Sequence, residues 1–338
     1  MSFELAVSVN LKEIYQPIAG DLKAVEDLLR SSISESTNRS ISALSDGLLE
    51  SPGKRIRPAL VLLSERAASG GDRSASDPRE LITIAAAVEL IHIASLIHDD
   101  VLDRAMMRHT RPTINAQYGD DISIVLGDYI YSTAFQLVTS CRNPDVFACM
   151  SEAVHLMCEG ELLHVAQRGN LDLSKSSYIA IAKKKTASLF AACCHAGTII
   201  GNHSRTIRTA LKEFGLNFGV AFQIVDDCKD VLSDEGEMGK RPGQDIVARD
   251  ITLPLLTVCE VLGQAEREEI RDMLGAGADQ NSLKRLRAML VNSNALSNIR
   301  KVVASYLNAA RGHLDSLADS VYKQNLGLLV DEKAWTVI

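Results

Sequence analysis

Residues 88–103 read VELIHIASLIHDDVLD, and this stretch decides the fold. An apolar segment with the composition of a buried helix runs directly into the motif Asp-Asp-x-x-Asp. Residues 218–230, FGVAFQIVDDCKD, repeat this arrangement. In each copy the first and last aspartates are four residues apart, so they share one face of a helix. The six acids at the ends of these predicted buried helices are Asp99, Asp100, Asp103, Asp226, Asp227 and Asp230.

The composition predicts an all-α chain. Of 338 residues, 46% are hydrophobic and only 4% are aromatic, and prolines are few, which favours helices over sheets. Apolar residues recur at three- and four-residue spacing through most of the chain, and only short polar patches interrupt them. We therefore expect a single-domain bundle, residues 1–338, of roughly ten or more helices.

Charge and cysteine content narrow the class of protein. A formal net charge of −7 argues against a nucleic-acid binder. The seven cysteines show no CxxC or Cys/His spacing, which predicts reduced core thiols in a cytoplasmic protein. The first residues resemble no signal or transit peptide, and no continuous apolar run reaches the roughly 18 residues that a membrane span needs.

The paired carboxylates predict metal binding. One such motif alone is typical of a solvated helix face, but two copies after buried helices need a counter-cation, because unpaired buried carboxylates are costly. Ligand sets made only of oxygen suit Mg²⁺, which is commonly held by one or two carboxylates together with substrate phosphates. Two facing motifs would hold a small cluster of Mg²⁺ ions around a diphosphate.

Basic side chains that a diphosphate would need also occur. They lie in GKRIRP at 53–58, at Arg108, in KKKT at 183–186 and in GKRPGQD at 239–245. Arginine forks and lysine ammonium groups bind phosphate oxygens. Taken singly, 53–58 is typical of a basic helix start and 183–186 of a solvated turn.

In this order and spacing, the motifs closely resemble those of the polyprenyl synthetases, the trans-isoprenyl diphosphate synthases. The resemblance covers about residues 40–265, including PTIN after Arg108, KKTASLF, and TLPLL after the second aspartate triplet. It implies an all-α fold around a deep central cavity, usually a homodimer. It also implies Mg²⁺, with three ions per site, and condensation of isopentenyl diphosphate with an allylic prenyl diphosphate.

The resemblance also implies roles for individual residues. Lys54, Arg57 and His92 would hold the diphosphate of isopentenyl diphosphate. Asp99, Asp103 and Asp226 would bind Mg²⁺ directly, Asp100, Asp227 and Asp230 would complete or support the clusters, and Asp230 is counted with the metal ligands. The residues expected to contact the allylic substrate are Arg108, His109, Lys185, Thr186, Gln223 and Lys240, with Lys185 also counted among the catalytic groups.

The chain departs from the family pattern at two places. His109 stands where a second arginine is usual, and Arg249-Asp250 replaces a Gly-Lys pair before TLP. Histidine would bind a diphosphate more weakly and with pH dependence, and an acid replaces a phosphate-binding lysine. Arg249 could reach in from one position earlier. Reduced affinity or an altered substrate is the resulting hypothesis.

The turn before the first triplet bears on product length. Short-chain members of the family carry bulky aromatic residues where this chain has Ala94 and Ser95. We therefore expect an all-trans product of C30 or longer, with Tyr131 or Phe135 on the next helix as the cavity floor. The apolar product implies peripheral membrane contact at release. Alternatives are a farnesyl or geranylgeranyl synthase, a non-catalytic regulatory subunit, and a terpene cyclase.

Two histidines receive non-catalytic interpretations. His98, beside the first triplet, is expected to be a packing or supporting residue. Glu161 and His164 have the Glu-x-x-His spacing of di-iron bundles, but only one copy exists, so we expect an ordinary helix face.

Overall fold

The computed structural model describes residues 10–34, 53–108, 111–233, 243–276 and 280–331. Helices dominate these residues, and their number exceeds the ten that the apolar spacing predicts. A single short antiparallel pair of strands, β1 (Met107–Arg108) and β2 (Arg111–Pro112), follows the first aspartate triplet. The all-α prediction is confirmed.

The α-helices, numbered in chain order over the described residues, have the following bounds. They are α1 (Leu11–Tyr15), α2 (Ala19–Ser34), α3 (Ile56–Ala68), α4 (Pro78–Leu102), α5 (Ile114–Tyr118), α6 (Asp120–Ser140), α7 (Pro144–Ala166), α8 (Lys175–Ala182), α9 (Ser188–Ile200), α10 (Arg205–Leu232), α11 (Gln244–Ala248), α12 (Leu253–Leu262), α13 (Gln264–Ala276), α14 (Gln280–Asn292), α15 (Ala295–His313) and α16 (Val321–Leu329). Two 3₁₀ turns, Gln16–Ile18 and Leu314–Ser316, and one π-helix, Lys183–Ala187, complete the set.

Helix α9 lies at the centre of the bundle. Nearly all of its residues are buried, and it packs against α3, α4, α7 and α10. Around it, one continuous cluster of buried apolar side chains extends from Ile14 to Val330. A shared core of this kind supports the single-domain expectation for 1–338, which stays a proposal.

Helix α4 carries the first triplet and is more apolar than the sequence interpretation allowed. With 25 residues it is long and apolar enough to cross a membrane, whereas we expected no such segment. However, 67% of its most apolar window is buried inside the protein, mainly against α6, α3 and α2. The core helix of a globular bundle meets the same criterion, because its neighbours take the place of lipid.

All seven cysteines are free thiols, as expected from their spacing. Six are buried, and only Cys158 on α7 is exposed. Burial raises the pKa of the buried thiols, to about 12 for Cys149 and Cys194, so these side chains act as small apolar core residues.

Candidate active site

The first aspartate triplet ends α4, and its three acids have different surroundings. Asp100 is buried and accepts hydrogen bonds from Arg108 Nε at 3.0 Å and Nη2 at 2.7 Å. Arg108 was predicted to contact substrate, and here its guanidinium neutralises Asp100. Burial raises the pKa of Asp99 to about 6, although the positive charge of Lys185 acts in the opposite direction. Asp103 caps the helix and is the most exposed of the three.

The second triplet ends α10, and its middle acid belongs to a buried polar network. Asp227 accepts a hydrogen bond from the Tyr178 hydroxyl and another from Gln223 Nε2 at 2.6 Å. Gln223 Oε1 in turn accepts from the Thr186 hydroxyl at 2.6 Å. Burial raises the pKa of Asp227 to about 7 despite these two donors. The network therefore ties α8, the π-helix and α10 together at the site.

The outer acids of the second triplet differ in availability. The Asp230 oxygens accept backbone N–H groups of Gln244 at 3.2 Å and Asp245 at 3.1 Å, so this carboxylate holds the start of α11. Asp226 is exposed. Of the two predicted metal ligands in this triplet, Asp226 and Asp230, Asp226 has the more solvent-accessible side chain.

Lys185 and Thr186 lie on the π-helix rather than in a solvated turn, so that alternative is wrong. A π-helix inserts an extra residue into a helix and occurs often at functional sites. Two glycines permit close packing on either side of it. A Cβ at Gly160 of α7 would lie 2.3 Å from the backbone nitrogen of Lys185, and one at Gly219 of α10 would lie 2.6 Å from Ala187 Cα.

Helix α7 supplies two side chains that the sequence interpretation assigned to an ordinary helix face. Glu161 lies 2.6 Å from Lys185 Nζ, and His164 Nδ1 lies 3.0 Å from the same ammonium group. Burial opposes ionisation of Glu161, but His164 and Lys185 together lower its pKa to about 2. The interpretation was wrong because this face packs on the π-helix. Lys185 is held charged by Asp99 and Glu161, which outweigh burial and raise its pKa.

Arg168, in the turn after α7, is a third residue of this group, and the sequence interpretation did not identify it. Its Nε donates to Asp250 Oδ1 at 2.9 Å, and its Nη2 to Asp103 Oδ1 at 2.5 Å. His164 Nε2 lies 3.4 Å from the same Asp250 oxygen. The only sequence signal was the spacing of 161, 164 and 168, which would place three polar residues on one face if the helix continued past Ala166.

Arg249, proposed as a substitute cation, has another structural role. It adopts the left-handed conformation, with φ of 62°, which favours the glycine that the family has there. Its backbone oxygen accepts the Gly169 N–H at 2.8 Å. The residue therefore docks the segment before α12 onto the turn after α7.

Of the predicted isopentenyl diphosphate residues, Arg57 lies on α3, His92 lies on α4, and Lys54 lies just before α3. Arg57 is largely buried, its guanidinium stacks 4.6 Å from the centre of the Phe190 ring, and its buried Nε has no hydrogen-bond partner among the described residues. Burial, followed by the charges of Arg57, Arg108 and Arg55, holds the pKa of His92 well below its usual value. His92 is therefore a neutral imidazole, while Lys54 is exposed.

Lys229, inside the second triplet, is a further cation that sequence reasoning overlooked. Burial, and then repulsion from Lys54, lowers its pKa to about 8. Within the described part of the chain, its ammonium group has no ion pair. The signal was available: Lys229 is a base in the middle of an acidic motif.

The turn of α4 before the first triplet carries small residues, and aromatic residues follow on α6. Ala94 is fully buried, and the Ser95 hydroxyl donates to the His92 carbonyl of its own helix at 2.8 Å. His98 Nε2 lies 3.0 Å from the Ile124 carbonyl, and its ring lies 5.8 Å from that of Tyr131. These contacts agree with the packing role expected for His98. Phe135 packs edge-on against Phe147, 6.0 Å away.

The described residues contain no group of three His, Cys, Asp or Glu side chains close enough to hold a metal ion. The donors nevertheless suit Mg²⁺, because they are carboxylate oxygens and because burial disfavours the ionised form of Asp99 in the absence of a cation. A site completed by substrate phosphates does not need a closed cage of protein ligands. His109 and Lys240, and most of the loop 239–245, lie outside the described residues.

Comparisons with known proteins agree with the resemblance to the polyprenyl synthetases. The polyprenyl synthetase family model matches residues 38–290. A short chain isoprenyl diphosphate synthase of Methanothermobacter thermautotrophicus is 33% identical over 90% of this chain and 93% of its own. An octaprenyl diphosphate synthase of Escherichia coli is 31% identical over 94% and 96%. Component 2 of the Bacillus subtilis heptaprenyl diphosphate synthase is 30% identical over 91% and 86%.

Solved structures agree. The polyprenyl synthase of Caulobacter crescentus, complexed with calcium and isoprenyl diphosphate, has a TM-score of 0.91 at 29% identity and covers 97% of this chain and 98% of its own. A decaprenyl diphosphate synthase of Rhodobacter capsulatus has a TM-score of 0.87 at 31% identity, with 97% and 99% covered.

The Asp227 network leads to a pH-dependent stability prediction for Tyr178→Phe. Because the folded pKa of Asp227 is raised, to about 7, its contribution to stability falls as pH rises from about 4 to 7 and then levels off. Above pH 7 the carboxylate is ionised, and the Tyr178 bond is charge-assisted. Losing it should cost about 1.5–3 kcal/mol at pH 8.5 and less at pH 5.5.

Urea denaturation at both pH values measures this difference. Tyr118→Phe, at an exposed tyrosine, is the matched control and should change stability by less than about 0.5 kcal/mol. An equal loss for Tyr178→Phe at both pH values would show that the hydroxyl does not interact with the ionised carboxylate.

Proposed function

The chain belongs to the polyprenyl synthetase family and is a trans-prenyltransferase, and from this premise we propose its finer activity. It condenses isopentenyl diphosphate with an allylic prenyl diphosphate, in the presence of Mg²⁺, to an all-trans polyprenyl diphosphate of C30 or longer. One observation carries the proposal: two complete aspartate triplets lie at the ends of α4 and α10, with half-buried cationic groups beside them.

The carboxylates and Lys185 would act on the allylic diphosphate. Asp99, Asp103 and Asp226 offer oxygens to Mg²⁺, and Asp230 supports this edge by ordering α11. When bound, Mg²⁺ neutralises the charge that develops on the departing diphosphate. Lys185, charged and next to Asp99, contributes a fixed cation at the same place.

Three of the remaining allylic contacts keep their proposed roles with a refinement. Thr186 and Gln223 orient each other through their hydrogen bond, so they present a preorganised pair. Arg108 acts while paired with Asp100. His109 and Lys240 complete the proposed set from outside the described residues.

Isopentenyl diphosphate would bind at Lys54, Arg57 and His92. The unpartnered Nε of Arg57 supports an anion there, since a buried donor without an acceptor is costly. A neutral His92 can still donate one N–H to a phosphate oxygen. The apolar cavity expected between the helices would exclude water until the double bond attacks the allylic cation, and released diphosphate would take the final proton.

The competing functions have less support. A non-catalytic subunit would be expected to lose its aspartates, and here both triplets are complete. Its support comes from the departures at His109 and Asp250 and from the similarity to a protein named as a component of a heptaprenyl synthase. A short-chain product stays an alternative, because the relatives carry both short-chain and octaprenyl names.

Product analysis tests the activity. The protein is incubated with labelled isopentenyl diphosphate, Mg²⁺ and each of the C5 to C20 allylic diphosphates, and products are identified by mass spectrometry. A ladder ending at one long prenyl diphosphate is expected, lost when Mg²⁺ is chelated. Asp99→Asn should lower kcat by about 10²–10³-fold, because it removes a proposed Mg²⁺ ligand and so weakens the binding of the cation that stabilises the departing diphosphate.

Asp315→Asn, at an exposed acid in the 3₁₀ turn after α15, is the control and should retain full activity. Absence of condensation with every primer, in a folded protein, would favour the regulatory-subunit alternative instead.

Product length is tested at the turn before the first triplet. Ser95 is partly accessible and one helical turn from Asp99, so Ser95→Phe should shorten the main product by blocking the growing chain. Ala94→Phe should act likewise, with some loss of stability because Ala94 is fully buried. Ser95→Ala removes only an intrahelical hydrogen bond and should leave the distribution unchanged. Long products from both phenylalanine variants would refute this cavity assignment.

We also propose a cytoplasmic homodimer, with peripheral membrane contact at product release. Helices α6 and α7 expose large apolar side chains, among them Val125 at 66% and Leu162 at 73% exposure. Such surfaces mark protein contacts. Light scattering should give twice 36.7 kDa, and Val125→Glu combined with Leu162→Glu should give the monomer mass. Val291→Glu on α14 is the control, and a wild-type mass of 36.7 kDa would refute the dimer.

A further inference from the structure

One guanidinium joins three separate segments of the chain at the first aspartate triplet. Arg168, in the turn after α7, donates from Nε to Asp250, from Nη1 to the Leu102 carbonyl at 3.3 Å, and from Nη2 to Asp103. Leu102 is the last residue of α4. The arginine therefore grips the end of the helix that presents the triplet, through both its backbone and its carboxylate.

Asp250 is built into this arrangement. Its side chain is 6% exposed, and its backbone N–H donates to the Asp245 carbonyl at 2.7 Å. The neighbouring bond between Gly169 and the Arg249 carbonyl fixes the same two segments side by side. Backbone hydrogen bonds thus hold Asp250 in place, and its carboxylate accepts the Arg168 Nε–H.

We propose that Arg168 and Asp250 form a clamp that positions Asp103 as a metal ligand, with Asp250 serving to hold the arginine. This inference rests on the proposed function and deepens it. The acid at position 250 then does more than replace a phosphate-binding lysine. It is the anchor of a different cation, which reaches the first triplet from the turn after α7.

The contact geometry fits a positioning role. Nη2 engages Oδ1 of Asp103, so Oδ2 is left to coordinate an ion. Partners that orient a metal-binding carboxylate commonly contribute 10–100-fold to metal affinity or activity. His164, 3.4 Å from Asp250 and 3.0 Å from Lys185, connects the clamp to the π-helix without contacting the triplet itself.

Calorimetric titration with Mg²⁺ and inorganic diphosphate is the test, because it needs no turnover. Arg168→Gln should weaken binding by about 10–100-fold, and Arg168→Lys should recover part of it, since lysine keeps the charge but not the fork. Asp250→Asn should weaken binding less. In turnover assays with the full set of substrates, the Mg²⁺ requirement should rise while KM for isopentenyl diphosphate stays unchanged.

A double-mutant cycle identifies the clamp as a unit. If Asp250 acts through Arg168, the double variant Arg168→Gln/Asp250→Asn should bind no more weakly than Arg168→Gln alone. Arg267→Gln is the matched control. Arg267 makes a similar bridge, to Asp172 at 2.6 Å and the Leu171 carbonyl at 2.8 Å, away from the triplets. It should leave Mg²⁺–diphosphate binding unchanged.

Failure of the inference and failure of the proposed function give different results. Wild-type binding of Mg²⁺ and diphosphate, weakened in the variants but without any prenyl product, would count against the function only. Normal synthesis with additive effects, or with wild-type binding in Arg168→Gln, would overturn the clamp. A wild type that binds no Mg²⁺–diphosphate would overturn both.

Discussion

The structure depends above all on placing carboxylates at the buried ends of two apolar helices. Ionised acids there are costly unless a cation or donor compensates them. The acids are compensated in different ways: Asp100 has the Arg108 fork, Asp227 has a hydroxyl and an amide, Asp230 has two backbone N–H groups, and the half-buried Asp99 has the charge of Lys185 nearby. Compensation is incomplete at Asp99 and Asp227, where burial still raises the pKa. These sites therefore retain capacity for additional positive charge.

The cations reach the acids because the backbones approach unusually closely. The π-helix is packed between Gly160 of α7 and Gly219 of α10, where a Cβ on either side would collide with its backbone. This places Thr186 against Gln223 and Lys185 against Glu161. The glycines in the sequence therefore permit the short interhelical distance, and this distance determines the electrostatics of the site. Larger residues at either glycine position would move the ammonium group away from Asp99.

How much was predictable follows from the range of each interaction. The all-α class and the two triplets follow from spacings of a few residues, which a sequence displays directly. Pairings across the fold do not. Arg168 and Asp250 are 82 residues apart, and Glu161 reads as any polar position on a helix until α7 packs on the π-helix. Arg108 was assigned to substrate from the family resemblance, which did not indicate its pairing with Asp100.

The same reasoning explains how an acid can stand where the family has a lysine. Electrostatic stabilisation depends on where the charge lies and how well it is held, not on which residue carries it. Residue 250 faces the turn after α7, which here supplies an arginine; a lysine at 250 would repel that arginine, whereas the aspartate accepts its Nε–H in a charge-assisted hydrogen bond. The left-handed Arg249 delivers Asp250 to this position at a conformational cost of about 1–2 kcal/mol. Departures 249 and 250 are therefore linked to Arg168 and must be interpreted together.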